Sequence, residues 1–463
     1  MKINNMKFSL QLYVSTLILL VLFISCSNDL NLTPRDTATY GNLNPTTIPL
    51  IRNGVYATME DVFYTYLVDF DKRGDNFIAG PANSLTDAPK MTTSDGDVNS
   101  LWDNAYSGVK TINVFLAAMD TVRATFPSSN FNTSKGEALF LRALIYFNLA
   151  TRWGGVPIVS SVTYDKIQRS SEDDTWKFIK SDLTTARRLI GSYSSKYYAS
   201  DMSVLALMAK VYLATGYIAQ KNNDMTTAAA DWAKAAAYAD TVIVSNKFAL
   251  SSSSTAFANN FAPVTGSEDI FVLANNTATN KHYLSKYSND SGTSWAFSPN
   301  PTLWSGLYAN ATSPVTKSGD LRKSATFTTD ITRCVRYPNT SAYDPIVLLR
   351  IAEMYLIKAE ALGASAGGAT LNVFMSKRYT TVPTAAALSA LSAANYQTVI
   401  LDEYHREFYN EGHWWYDVKR TNRTDLIPLI NSSVSDGVPF YLLYYPIPQT
   451  EIDYNRYIQN PGY

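Results

Sequence analysis

The sequence predicts a mainly α-helical protein, built from tetratricopeptide-like helical pairs and interrupted by a large loop-rich insertion. Three observations lead there. Three segments superpose without gaps: Leu139, Ala143, Tyr146, Phe147 and Ala150; Leu205, Ala209, Tyr212, Leu213 and Gly216; and Leu348, Ala352, Tyr355, Leu356 and Ala359. Each sets large, small, aromatic, large and small residues at offsets 0, 4, 7, 8 and 11, which is one face of an α-helix. The small positions let a second helix approach, and the aromatic fills the space beside it. Candidate partner helices are present too, because Trp176, Ile179, Leu183 and Ala186 share their spacing with Trp232, Ala235, Ala239 and Val242. Finally, helical periodicity stops near residue 247 and returns near 345, across a stretch rich in Ser, Thr, Asn, Pro and Tyr. The linkers are longer and less regular than a strict 34-residue repeat would have.

Residues 1–25 read as a lipoprotein signal peptide. Lys2 and Lys7 precede an uncharged, mostly apolar run at 8–24, and Ser25-Cys26 follows at once. That run is short for a spanning helix, which needs about 20 apolar residues. A small residue followed by Cys marks Cys26 as the lipidation site, which would hold the chain to a membrane by acyl groups rather than by a basic patch. Residues 26–47 are a polar lipidated tether, and 48–463 form a single domain. Within it a first helix is expected near 47–65, an Asp-, Gly- and Pro-rich loop at 66–97, and a helix at 98–125. The helical pairs occupy about 48–247 and 345–411, with late helices at 345–362 and 396–411. The insertion at about 248–344 reads as loops and short strands, for example at 269–273, and 412–463 as mainly loop.

Composition excludes several classes of function. With 39 Lys+Arg against 39 Asp+Glu the formal charge is zero, so there is no basic surface to neutralise nucleic-acid phosphates. The three histidines are His282, His405 and His413. The last two are eight apart, about 12 Å along a helix, too far to share one ion, and no other metal-ligand spacing occurs. No nucleophile elbow, phosphate loop or dinucleotide fingerprint is present. No metal or cofactor is therefore expected, while a glycosidase's carboxylate pair is left open by a sequence with 39 acids. If Cys26 carries lipid, Cys334 is left without an intrachain partner and reads as a small buried hydrophobe. The 31 tyrosines offer flat apolar faces with polar tips, suited to ligands that are themselves half apolar.

Four motifs carry a resemblance. Glu137, Arg142-Ala143 and Tyr146 lead into Gly154-Gly155-Val156-Pro157. Leu349-Arg350, Ala352-Glu353, Tyr355-Leu356 and Ala359-Glu360 form the second. Glu403, Arg406-Glu407, Glu411-Gly412 and Trp414-Trp415 with Asp417, Lys419 and Arg420 form the third. The ending Tyr445-Pro446-Ile447-Pro448-Gln449 with Asn460-Pro461-Gly462 is the fourth. In this order, behind a lipoprotein signal, they resemble the SusD/RagB family of outer-membrane lipoproteins of Bacteroidota. The resemblance implies a SusD-like α-α superhelix with a less regular ligand-binding part. It also implies a cell-surface, lipid-anchored protein of the outer membrane, a SusC-like TonB-dependent transporter as partner, and non-catalytic capture of a glycan. Peptide binding in the manner of RagB, or a lid with no soluble ligand of its own, are the alternatives. The motif residues themselves are expected to be structural: Arg350, Glu353, Glu403 and Glu407 as bidentate pairs between helices, Trp414 and Trp415 as core.

A sugar ring shows an apolar C–H face and a rim of hydroxyls, so its site needs aromatic platforms beside polar groups. Two regions combine them. One is the loop around Asp75, Asn76 and Phe77. The other is the insertion, where Tyr283, Tyr287, Trp295, Trp304 and Tyr308 are interleaved with Asn289, Asp290 and Asn300. Trp295, in Ser-Gly-Thr-Ser-Trp, has small polar flanks and is the leading candidate.

Overall fold

The computed structural model describes residues 44, 47–81, 91–124, 126–263, 266–275, 295–309, 313–339, 344–426 and 443–463. Cys26 and the signal peptide, and Tyr283, Tyr287, Asn289 and Asp290, lie outside them. The body is helical: α1 (Ile48–Arg73), α2 (Gly96–Thr121), α3 (Ser128–Trp153), α4 (Glu172–Leu189), α5 (Asp201–Lys221) and α6 (Met225–Val244). Side-chain caps start several of them. Asp95 accepts from the amides of Asp97 and Val98, Ser171 from Asp174, and Asp224 from Thr227, while Ser200 and Ser203 form a reciprocal capping box. Sequential helices pack as neighbours, α3 on α4 and α5 on α6.

The small/aromatic seams do the packing assigned to them. A Cβ on Gly216 would lie 2.4 Å from the Trp232 ring, so only glycine lets α6 sit this close to α5. In the first copy Arg142 makes a bidentate pair with Asp182 of α4 (2.7 and 2.8 Å) and also donates to Asn113 Oδ1 on α2 (2.7 Å). The Tyr146 hydroxyl donates to Pro157 O and accepts from Val159 N, pinning the Gly-Gly-Val-Pro loop under the helix pair.

Several boundaries differ from those read in the sequence. The first helix does not stop at residue 65 but runs to Arg73. Its Asp-rich end looked like loop, yet Asp69 and Asp71 are buried there. Asp69 is neutralised by Arg73 and Arg152, while Tyr66, Leu67 and Phe70 keep the apolar face. The third seam is part strand. Leu348 lies on β4 (Ile346–Arg350), and the helix α10 (Ile351–Ser376) begins only after it. The last predicted helix is shifted to Ala393–Glu407 (α12), after a short α11 (Ala385–Ser389). The tail holds two further helices, α13 (Trp414–Thr421) and α14 (Gln449–Asn455).

The insertion contains α7 (Ser254–Ala258), α8 (Pro301–Ala309), α9 (Arg322–Thr326) and the expected strand β2 (Asp269–Leu273). That strand pairs antiparallel with β4. A second two-stranded sheet joins β1 (Phe77–Ala79) to β3 (Phe297–Pro299), with Phe77 opposite Pro299 and Ala79 opposite Phe297.

A buried ionic cluster fastens the insertion to α12. Glu407 accepts from Arg322 (3.0 Å), Arg350 (2.9 Å) and Arg378 (2.9 Å). Glu268 bridges Arg350 and Arg378, both at 2.8 Å, and Glu403 takes Lys317 (2.7 Å) and Arg322 (2.8 Å). Burial alone would raise the Glu403 carboxyl, but Lys317, Arg322 and Arg406 hold it down at about 2. The motif residues Arg350, Glu403 and Glu407 are thus structural, and Trp414 and Trp415 are core.

Candidate functional site

The two regions singled out in the sequence meet in space. After α1 the chain turns through Asp75, whose φ is +61°, into β1, and β1 lies against β3. The joint is reinforced on both sides. Gly80 N donates to Ala296 O (2.8 Å), Asn300 N to Asn76 O (3.0 Å), and Asn300 Nδ2 to Asp75 O (3.1 Å). Asn300 Oδ1 meanwhile accepts from Thr302 N and Leu303 N and so starts α8. Segments more than two hundred positions apart therefore form one ribbon, and its register brings Pro81 and Trp295 to the same margin.

Trp295 is half-buried at that margin. Its indole Nε1 donates to Ser298 Oγ (2.9 Å), and the Arg333 guanidinium stands 5.7 Å from its ring. Ala79 and Pro81 are exposed and Ser298 half-buried beside it. Tyr308 is half-buried on α8, with Arg406 at 5.1 Å and Lys323 at 5.6 Å from its ring. Burial pushes its phenol up, so it stays neutral, a hydroxyl tip on an apolar ring.

The structure corrects the reading of the remaining candidates. Asn76, Phe77 and Trp304 are wholly enclosed and Asp75 nearly so; they support the ribbon from beneath and offer no platform. Phe77 packs on Phe297 and Tyr409. Trp304 packs edge-on to Tyr409 (4.4 Å) and against Phe327 (5.0 Å) and His405 (5.1 Å). Tyr308, one turn on along the same face of α8, has its ring 6.0 Å from that of Trp304 and is only half-buried. A lone Trp in a polar loop gives no signal of that difference until its helix is known.

Sequence reasoning also missed the polar chain below the ribbon. His405 Nε2 lies 2.5 Å from Asn76 Oδ1, Asn76 Nδ2 donates to Asp71, and Gly412 N donates to the other Asp71 oxygen (2.7 Å). His405 stacks flat on Trp414, with centroids 3.6 Å apart. Burial, with Arg406 nearby, holds its pKa well below the ordinary value. It is therefore a neutral ring that donates through Nε2 to Asn76. A stacked, neutral histidine does the fastening here.

Burial raises the Asp71 carboxyl from 3.8 to about 7 despite the amides of Gly412 and Asn76. An unfolded Asp releases its proton near 3.8, so this group's contribution to stability is full below that pH and is lost as pH rises to about 7. Wild type therefore loses stability relative to Asp71→Asn between pH 4 and pH 7, read by urea denaturation at several pH values. A pH-independent difference would mean that Asp71 is ionised throughout. Among the described residues no three His, Cys, Asp or Glu side chains are grouped to hold a metal ion.

Comparison with known proteins adds the following. A family model described as "Starch-binding associating with outer membrane" matches residues 37–213, and one described as "SusD family" matches residues 336–463. A SusD-like protein of Formosa agariphila is 25% identical over 370 residues, which is 65% of this chain and 69% of that one. A SusD superfamily structure from Bacteroides thetaiotaomicron superposes with a TM-score of 0.72 at 20% identity, covering 90% of this chain and 100% of that one. A structure described as a laminarin binding SusD-like protein does so with a TM-score of 0.69 at 20% identity, covering 91% and 100%. At these identities the structural likeness is one of fold.

Proposed function

The chain belongs to the SusD/RagB family, and from that premise we propose that it is a non-catalytic glycan-binding lipoprotein of the cell surface. In this reading Cys26 carries the lipid that anchors it in the outer membrane. The protein captures an oligosaccharide or polysaccharide and delivers it to a SusC-like TonB-dependent transporter. The observation that carries the reading is the β1–β3 ribbon. It brings the early loop and the insertion to one margin and leaves Trp295 half-open there, beside Ser298 and Arg333.

The ring of Trp295 stacks on a sugar face, its polar neighbours meet hydroxyls, and Tyr308 on α8 is a further contact. Binding is an equilibrium, and several weak contacts along a polymer gain from multivalency. The laminarin-binding relative supports a carbohydrate as ligand class.

The test is affinity electrophoresis of the mature chain against a panel of polysaccharides. Trp295→Ala should weaken binding by about 1–3 kcal/mol, taking aromatic–base stacking as the analogue, which is roughly 5- to 150-fold. Its helicity should be unchanged. Unaltered affinity removes Trp295 from the site, and turnover of a bound glycan refutes the non-catalytic reading.

A further inference from the structure

A cavity of about 660 Å³ opens between the end of α3 and the C-terminal tail, with walls from residues 153–155, 168–172, 444, 456–458, 460 and 461. None of these belongs to the ribbon or to the loops beside it. The cavity exists because the chain turns at Gly154-Gly155. A Cβ on Gly155 would lie 2.2 Å from Ser170 O, so the 168–172 segment closes against the turn only over glycine. The tail is tied across by Arg169, which donates to Gly155 O (2.5 Å), Trp153 O (2.9 Å), Ile458 O (2.8 Å) and Asn460 Oδ1 (2.5 Å).

The charge in this wall is unusual for the molecule. The fully buried guanidiniums of Arg152, Arg322, Arg336, Arg350, Arg378 and Arg406 each face a carboxylate. Half-buried Arg169 has none among the described residues. Its four acceptors are neutral; Glu172 acts on it through space, but no ion pair forms between them. Arg456, exposed and held at φ +62°, is a second guanidinium in the wall, and Gln168, also exposed, lines the same cavity; neither side chain has a hydrogen-bond partner among the described residues. Glu172 is the one carboxylate present; it is occupied by the Tyr444 hydroxyl (3.1 Å) and Trp176 Nε1 (3.5 Å). Tyr444, Tyr457 and Ile458 supply apolar walls. The volume falls in the range of small-molecule sites.

We propose that this cavity is a second saccharide site, selective for a sugar that carries a carboxylate. Arg456 and Gln168 hold the carboxylate within the field of Arg169, and Tyr444, Tyr457 and Ile458 cover the ring. The choice of a saccharide rests on the function proposed above; the preference for an acidic one rests on the two guanidiniums.

The experiment is calorimetric titration of the mature chain with digalacturonate and with neutral galactobiose. Digalacturonate should bind at one site and galactobiose should not. Arg456→Ala and Gln168→Ala, both on exposed side chains, should each weaken digalacturonate at least about tenfold, the loss expected of a charge-assisted contact, with the circular dichroism spectrum unchanged. Trp295→Ala should leave this affinity intact. Equal binding of the two disaccharides, no digalacturonate binding at millimolar concentration, or insensitivity to both cavity variants overturns the proposal. If the polysaccharide panel fails while digalacturonate binds through Arg456, the function assigned to the Trp295 margin falls and this site stands.

Discussion

Glu407→Ala should destabilise the mature chain by about 3–5 kcal/mol, because it breaks a buried charge cluster from one side. Three guanidiniums converge on that carboxylate, from α9, from the end of β4 and from the end of α10. All four side chains are shut off from water. Without Glu407, Arg322 still reaches Glu403 and Asp320, and Arg350 and Arg378 still reach Glu268, but the cluster keeps an excess positive charge that cannot be hydrated. Burial opposes ionisation of Glu407, and the arginines overcome it, holding its pKa well below the usual carboxylate value. Its contribution is therefore present above the unfolded value of 4.5 and lost as pH falls through the folded one. Urea denaturation at pH 7 and at acid pH reads both effects. A loss under about 1 kcal/mol at pH 7, the scale of an exposed pair, would show that the cluster is hydrated.

Trp304→Ala comes second, with an expected cost of about 3–5 kcal/mol, the range for deleting a large buried aromatic. The indole fills the space between Tyr409, Phe327 and His405, and its Nε1 reaches Asn76 O (3.4 Å). Trp304→Phe should recover most of that cost. If Trp304 were a glycan platform, the alanine variant would lose affinity with little change in the unfolding midpoint. The structure predicts the reverse order: a lower midpoint first, and weaker binding only as the ribbon above it loosens.

The contrast between Trp304 and Trp295 shows where the sequence was legible. Both are Trp residues in a polar, aperiodic stretch, and nothing local separates them. Only the three-dimensional pairing of β1 with β3 puts one beneath the ribbon and the other at its margin. The helical seams were readable because their spacing encodes a face, although the contact of Gly216 with Trp232 on the facing helix needed the structure. The end of α1 was not. Asp69 and Asp71 look like loop residues until Arg152 and Gly412, both distant in sequence, neutralise or bond them. The strand before α10 was hidden for a similar reason, since Val347, Leu348 and Leu349 suit a buried helix and a buried strand equally. The polar chain from His405 to Asp71 joins residues more than three hundred positions apart, a relation no local pattern holds.

The ties across the ribbon have a consequence for the order in which the polypeptide can mature. Phe77 waits for Pro299, and Arg73 waits for the hydroxyl of Tyr445, 372 positions later. Such distant closures are slow, because loop entropy is lost before any contact rewards it. The ribbon cannot form before residues 297–299 have been made, and the tie on Arg73 not before Tyr445. A product cut short before Tyr445 should keep its early helices yet lack the bond that holds Arg73 at the end of α1.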